Sequence, residues 1–253
     1  ALALMLFSIV GVTSCGATTA EYALVTDVGD IDDQSFNQSC WEATKDFAKT
    51  NGKTNAYYRP VNDSTEDRVA SIEQAIQKGA KVIVCPGFLF EEAVYNVQDK
   101  YPEVKFVLID GAPHTADYAT YKTAKNTVSI VYQEEISGFL AGFAAVKDGK
   151  TKLGFCGGMA VPAVQRFGTG FLQGVNAAAV EMGIASNVSV KYYYAGAFAA
   201  TDAATALMKS WYTAGTECVF ACGGKVYQSV VEGLKGSTGK TWIGVDVDQS
   251  NLG

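Results

Sequence analysis

The sequence is poor in the side chains on which most enzymes and nucleic-acid binders depend. It holds a single histidine, His114, among 253 residues. A zinc site or a Ser-His-Asp triad would have to be built on that residue. It lies in the loop GAPHTAD behind an apolar run and reads as a surface side chain. Neither G-x-S-x-G nor H-E-x-x-H occurs, which removes the common signatures of serine hydrolases and zinc peptidases. Gly239-Lys240-Thr241 suggests a phosphate-binding loop, but Leu234 stands where its first glycine belongs and the stretch precedes a strand instead of following one. Basic residues are scattered, 20 against 26 acidic ones with no basic run and a net charge of −6. Nucleic acid is therefore excluded as a partner, because phosphate binding relies on clustered Lys and Arg.

Charge is also missing from the first twenty residues. ALALMLFSIVGV has the length of a signal peptide and is too short to span a bilayer. Val12-Thr13-Ser14-Cys15-Gly16 then resembles a lipobox, with Cys15 as the lipidated residue and Ala-Thr-Thr-Ala-Glu as a polar tether. Residues 1–20 are expected to be signal peptide and tether, and the chain to be clipped at its start. Cys40, Cys85, Cys156, Cys218 and Cys222 sit in apolar settings and read as small core residues without a disulfide framework. Cys218 and Cys222, four apart on one strand face, would be about 13 Å apart, too far to be bridged.

Hydrophobic residues make up 48% of the chain, enough for a substantial core. Apolar runs bounded by Gly, Pro or Asp fall at 22–27, 56–61, 81–87, 105–111 and 127–132. They return at 152–158, 188–196, 218–224 and 241–247. Helical periodicity fills 36–49, 65–78, 90–99, 133–147, 162–183, 201–214 and 225–235. Runs such as KVIVCPG and CVFACGG are apolar throughout, as in strands buried on both faces of a parallel sheet. The class is α/β, in two successive sets of βα units with a seam near 130–150. The expected lobes are 21–132 and 133–253. The second lobe is expected to be incomplete, because a lobe of matching size would need more elements than the six residues after TWIGVDV.

In open parallel sheets ligands bind beyond the carboxyl ends of the strands. Asp27, Asp110 and Asp246 stand behind three strands, and Gly157-Gly158 and Gly223-Gly224 behind two others. Each Asp alone reads as a cap or turn residue; together at one rim they read as a polar-ligand site, with the Gly pairs allowing close approach. The densest cluster is TDVGDIDDQSFNQ, which places Asp27, Asp30, Asp32 and Asp33 within seven positions. Its spacing, D-x-x-D-x-D-D with Gly29 at the second site, departs from the D-x-D-x-x-x-D-D of metal-dependent nucleoside hydrolases. Ser35 to Gln38 fits an S-x-x-Q capping box that starts a helix at Phe36. Asp30, Asp32 and Asp33 would serve that helix start. The stripe Phe36, Cys40, Ala43 and Phe47 would pack on the core, with Phe36 placed either there or in the cleft.

These stretches resemble one known family. VTDVGDIDDQSFNQSCWEA, VIVCPGFLFEEAV, FVLIDG, NTVSIVYQEEISGFLAG, GFCGGMAVPAVQRFGTGFLQGV, FACGGKVYQSV and IGVDVDQS are similar, in order from Ala23 to Gln249, to the basic membrane protein family. Its members are substrate-binding lipoproteins of ABC importers for purine nucleosides. The resemblance implies two Rossmann-like lobes of the type I periplasmic-binding-protein kind. It also implies a purine sandwiched by Phe36 and Phe198, with Asp27 and Asn37 at the base edge and Asp110, Gly224, Lys225 and Asp246 at the sugar. It implies no cofactor, no metal and no catalysis. The partners would be an ABC permease with its ATPase, and a membrane reached through the lipid on Cys15. The protein would be a monomer on the outer face of the cytoplasmic membrane, at a cell surface or in a periplasm. A sugar-binding protein of the same fold would use Asp110 and Asp246 without needing two opposed phenylalanines. A regulator would need a helix-turn-helix where the leader stands, and a nucleoside-processing enzyme a metal cluster that is not spelled out.

Overall fold

The computed structural model describes residues 19–27 and 29–252; Cys15 and the signal-like run lie outside them. The first set of units comprises β1 (Tyr22–Val25), α1 (Phe36–Thr50), β2 (Asn55–Tyr58), α2 (Thr65–Gln77), β3 (Val82–Pro86), α3 (Glu91–Gln98), β4 (Lys105–Ile109) and β5 (Thr127–Ile130). The second comprises α4 (Glu134–Lys147), β6 (Lys152–Gly157), α5 (Pro162–Glu181), β7 (Ser189–Tyr194), α6 (Asp202–Thr213), β8 (Cys218–Cys222), α7 (Val226–Leu234) and β9 (Thr241–Ile243). Every strand pair is parallel. The sheets run β2-β1-β3-β4-β5 and β7-β6-β8-β9. The second thus repeats the first in strand order, and each sheet reverses its direction of growth after its first two strands. That reversal opens a crevice between β1 and β3, and another between β6 and β8, where this kind of sheet holds ligands.

Burial on both faces explains the unbroken apolar runs. Ala23, Val25, Ile83, Cys85, Phe106 and Leu108 meet α2 and α3 on one face of the first sheet. α1 covers the opposite face. In the second sheet, Leu153, Phe155, Phe220 and Cys222 pack under α5, while Cys156, Val219 and Ala221 pack under α6 and α7. Each Phe, Leu or Ile removed from water in this way contributes roughly 1.5–3 kcal/mol, against the chain entropy lost in ordering it.

Small residues at the seam have a packing role. α4 lies on α5 so closely that a Cβ on Gly138 would stand 2.1 Å from the Phe167 carbonyl oxygen, and one on Gly174 would stand 1.9 Å from that of Phe139. No side chain fits there, and the contact ties α4 to the second sheet.

Three sequence expectations need correction. The stripe on α1 is shifted: Asn37, Cys40, Thr44 and Ala48 are buried, whereas Phe47 is 59% exposed. Small Thr and Ala side chains let the helix sit close on β1, and Phe47 is left to pack edge-on against Tyr22, with ring centroids 5.6 Å apart. His114 is not a surface residue. It is 4% exposed, stacked 4.2 Å from Tyr118, with Nε2 3.0 Å from Glu91 Oε2. The third is the capping box at Ser35, which does not form; its replacement belongs to the site.

Candidate functional site

A cavity of about 1090 Å³ lies where the carboxyl ends of the two sheets face each other, somewhat larger than the usual volume of a small-molecule pocket. All eight ligand residues expected from the sequence line it: Asp27, Phe36, Asn37, Asp110, Phe198, Gly224, Lys225 and Asp246. Four come from the first set of units and four from the second.

The wall from the first sheet is built by the helix start. Asp33, not Ser35, caps α1: its carboxylate accepts from the backbone N–H groups of Ser35 at 2.9 Å, Asn37 at 3.2 Å and Gln38 at 3.0 Å. The Gln38 side chain accepts from Gln34 N, one residue short of the box geometry. Thus relieved, the Ser35 hydroxyl crosses the cleft and donates to Asp246 Oδ2 at 2.5 Å. Phe36 is half-buried on the first helical turn, its ring lying over the left-handed turn at Gly87, φ +99°. Beside it Asn37 Nδ2 donates to Asp27 Oδ1 at 2.8 Å, and Gly29 N donates to the same oxygen at 2.6 Å. Asn37 Oδ1 is buried and meets no donor. Burial pushes the Asp27 carboxyl above the usual carboxylate range, although both donors oppose the shift.

The facing wall explains the glycine pairs. A Cβ on Gly158 would stand 2.7 Å from Phe198 Cδ1, and one on Gly223 3.2 Å from it. Gly224, at φ +52°, leaves room for the Phe198 carbonyl, which accepts from Lys225 N at 2.8 Å. The glycines behind β6 and β8 therefore seat the Phe198 ring. Phe88, in the turn before α3, crosses from the first sheet to pack on the core of the second; the sequence reading gave it no role.

Lys225 reaches outward more than its expected place at the sugar implies. Its Nζ donates to Asp30 Oδ2 at 2.7 Å and lies 3.7 Å from Asp32 Oδ1. Asp30 also accepts from Arg59 at 2.6 Å. The bond to Lys225 holds Asp30 below the ordinary carboxylate range and raises Lys225. Among the four acids of the opening cluster, Asp33 caps the helix, Asp30 bridges the cleft and Asp27 enters the pocket. Asp32 is mostly exposed, with 85% of its side-chain surface open.

The end of the cavity beyond β4 holds a cluster that sequence reasoning missed. Asp110, at φ +64°, faces Glu134 at the start of α4; the Arg166 guanidinium on α5 donates to Glu134 Oε2 and lies 3.8 Å from Asp110 Oδ1. Burial, and then Glu134, push Asp110 up to about 7. Burial opposes ionisation of Glu134 as well, but the bonds to Arg166 and Asp110, with the backbone N–H and the Arg166 charge, together outweigh it and hold Glu134 below its usual range. Asp246 opens onto the cavity. The surrounding walls nevertheless strip enough water from its carboxyl to push it up to about 6, with Ser35 pulling the other way. For the cluster a usable signal was present, since Arg166 is the lone charged side chain between Pro162 and Val180. Such a charge in an otherwise small and apolar helix needs a partner. Among the described residues, no group of three or more His, Cys, Asp or Glu is gathered to hold a metal ion.

Comparison with known proteins gives this geometry relatives. The family model for ABC transporter substrate-binding proteins of the PnrA-like kind, Bmp, matches residues 20–253. The chain is 31% identical over 246 residues to the ABC transporter nucleoside-binding protein BmpA of Lactococcus lactis, covering 93% of this chain and 66% of that protein. It is 30% identical to the CD4+ T-cell-stimulating antigen of Listeria monocytogenes, covering 91% of this chain and 64% of that one. Basic membrane protein A1 of Borrelia garinii is 28% identical, over 99% of this chain and 72% of its own. The chain thus spans about two thirds of the length of these relatives. Among solved structures, an ABC transporter solute-binding protein from Aeropyrum pernix superposes with a TM-score of 0.72 at 24% identity, covering 85% of this chain and 58% of that chain. The two-sheet α/β fold is that of such solute-binding proteins.

Proposed function

The chain belongs to the Bmp family of PnrA-like ABC transporter substrate-binding proteins, a family of binders and not of enzymes, and from that premise we propose that it captures purine nucleosides. Two lobes, 21–132 and 133–253, close on the ligand and present it to a membrane permease driven by its ATPase. The observation that carries this reading is the pair of phenylalanines lining one cavity, Phe36 from α1 and Phe198 from the segment before α6. A purine offers two π faces, and base–aromatic stacking contributes about 1–3 kcal/mol per base. Phe198 rests on glycine backbone and Phe36 on the Gly87 turn, so both rings are seated before the ligand arrives.

Asp27 and Asn37 read the base edge. The buried Asn37 Oδ1, which has no donor within the protein, is the acceptor for a base N–H. Asp110 and Asp246 accept from the ribose hydroxyls, with Gly224 and Lys225 on the same wall. Closure forms the bonds that cross the cleft, Ser35 to Asp246 and Lys225 to Asp30, so the ligand selects the closed state. The protein acts as a monomer, tethered through a lipid on Cys15 to the outer face of the cytoplasmic membrane. The nucleoside-binding name of the lactococcal relative supports the ligand class, and relatives named as lipoproteins support the anchor.

Calorimetric titration of the protein beginning after Cys15 with inosine, and with ribose as the control, tests the ligand. Inosine binding without ribose binding is expected. Ribose binding alone, or binding of neither by a folded protein, overturns the purine reading and leaves a two-lobed binder of another ligand.

A further inference from the structure

At the far end of the cavity two carboxyl groups, Asp110 and Glu134, lie within hydrogen-bond reach of each other, and each carries a buried oxygen without a donor. Asp110 Oδ1 and Glu134 Oε1 are both inaccessible to water, and neither meets an N–H or O–H group of the protein. Arg166 does not resolve the conflict. Its Nε donates to the other oxygen of Glu134, and its nearest nitrogen stands 3.8 Å from Asp110 Oδ1, beyond hydrogen-bond range. Two carboxylates in contact cannot both remain ionised in a buried site, and one proton between them satisfies both oxygens at once.

We propose that Glu134 and Arg166 are positioning residues for Asp110. The two carboxyls share one proton, with Arg166 keeping Glu134 as the ionised partner, so that Asp110 meets a ligand hydroxyl as a fixed, neutral acid. The shared proton fixes the orientation of Asp110 and leaves its second oxygen toward the cavity, where Asp110 and Glu134 are both lining residues. The opposite directions in which the two groups shift, Asp110 to about 7 and Glu134 downward, agree with this division. The start of α4 adds to it, because a helix N-terminus favours the charge on Glu134.

Other titratable groups face the pair from each neighbouring element. Cys40 approaches from α1, Tyr132 from the segment before α4, Cys222 from β8 and Asp246 from beyond β9. The thiols are pushed far up by burial and stay neutral at physiological pH. Asp246 is ionised above about 6 and opposes a second charge on the pair. Asp110 comes from the first set of units, and Glu134 and Arg166 from the second, so the shared proton also bridges the cleft. Closing the cleft over a ligand removes water and holds that proton more firmly. Loss of the proton puts two like charges in contact and turns Asp110 away from the ligand.

The consequence is a pH dependence that rests on the nucleoside reading for its ligand but not for its cause. Inosine affinity is measured by calorimetry between pH 6.5 and 8.5, and carboxyl carbons of the ligand-free protein are followed by 13C NMR over the same range. For the unaltered protein, affinity falls above about pH 7, approaching tenfold per pH unit, as one linked proton requires. One carboxyl titrates with a midpoint near 7. Glu134→Gln supplies an amide donor to an ionised Asp110, so its affinity is flat over this range and the high midpoint vanishes. Arg166→Gln removes the charge that keeps Glu134 ionised, and the inflection moves to higher pH. A flat profile for the unaltered protein, the lack of any carboxyl midpoint above about 6.5, or an unchanged slope in a folded Glu134→Gln variant overturns the proposal. A carboxyl midpoint near 7 that Glu134→Gln abolishes, in a protein that binds no inosine at any pH, supports the shared proton and overturns the nucleoside reading alone.

Discussion

Ser35 and Asp246 are 211 positions apart, and the Ser35 hydroxyl donates to Asp246 Oδ2 at 2.5 Å across the cleft between the two sheets. Ser35 is free to do this because Asp33 has taken over the cap of α1. Asp246 needs the donor, because the walls of the cleft leave its carboxyl poorly hydrated although it faces the open cavity.

That desolvation has a measurable consequence. The folded-state pKa of Asp246, about 6, lies above the unfolded value of 3.8. The folded protein therefore holds the extra proton between pH ~4 and ~6, and stability falls as pH rises through that window. Above it, the charged carboxyl costs on the order of 1 kcal/mol, because cavity water screens part of the full effect. Asp246→Asn keeps an acceptor for Ser35 and removes the charge. It is expected to be more stable than the unaltered protein by roughly that amount at pH 7, and equally stable at pH 4, while binding nucleoside less tightly. Denaturant unfolding at the two pH values checks the stability, and calorimetry the loss of affinity.

The cap makes a second expectation specific. Asp33→Ala leaves three backbone N–H groups at the start of α1 without their acceptor and should cost about 1–2 kcal/mol. Gln38→Ala, the substitution that a capping box would make comparably damaging, should cost less than about 0.5 kcal/mol. Thermal unfolding of the two variants separates the cases.

Gly158 sets the position of the second aromatic ring. Because an alanine Cβ there would stand 2.7 Å from Phe198 Cδ1, Gly158→Ala must displace the ring. Overpacking of this kind costs about 1–3 kcal/mol of stability, and inosine affinity should fall on the order of tenfold if half of the stacking is lost. Affinity measured beside the melting temperature tests this, and unchanged affinity would remove Phe198 from the ligand.

The stacking pair itself is tested by Phe36→Ala and Phe198→Ala. Each should weaken inosine binding by roughly 5- to 150-fold, the equivalent of about 1–3 kcal/mol, with the smaller loss of stability at half-exposed Phe36. A variant that binds as tightly as the unaltered protein places its ring outside the ligand contact.

The order of strands and helices could be read from the sequence because apolar periodicity is local: nine runs of strand type and seven of helix type all appear in the structure. The ends of the strands were less legible. TWIGVDV reads as one strand, but β9 stops at Ile243 and Asp246 takes φ +71°, a conformation that brings its carboxyl under Ser35. The rim position of Asp27, Asp110 and Asp246 followed from the rule that parallel strands end at the ligand. The family resemblance supplied the two phenylalanines.

What the sequence determined by itself was the set of elements and the side on which their polar residues emerge, because these depend on residues within a few positions of one another. Only the tertiary structure decided which groups from the two sheets meet. Ser35 with Asp246, Lys225 with Asp30, and Arg166 with Asp110 and Glu134 each join segments that lie far apart in the chain. A charge pattern along the chain does not encode such a meeting. His114 makes the same point in the other direction: an apparently ordinary loop residue is buried because Glu91, Tyr118 and Tyr121 close around it. Desolvation and partnership are properties of the packed interior, and they set both the charge states of this site and the shape of the ligand it accepts.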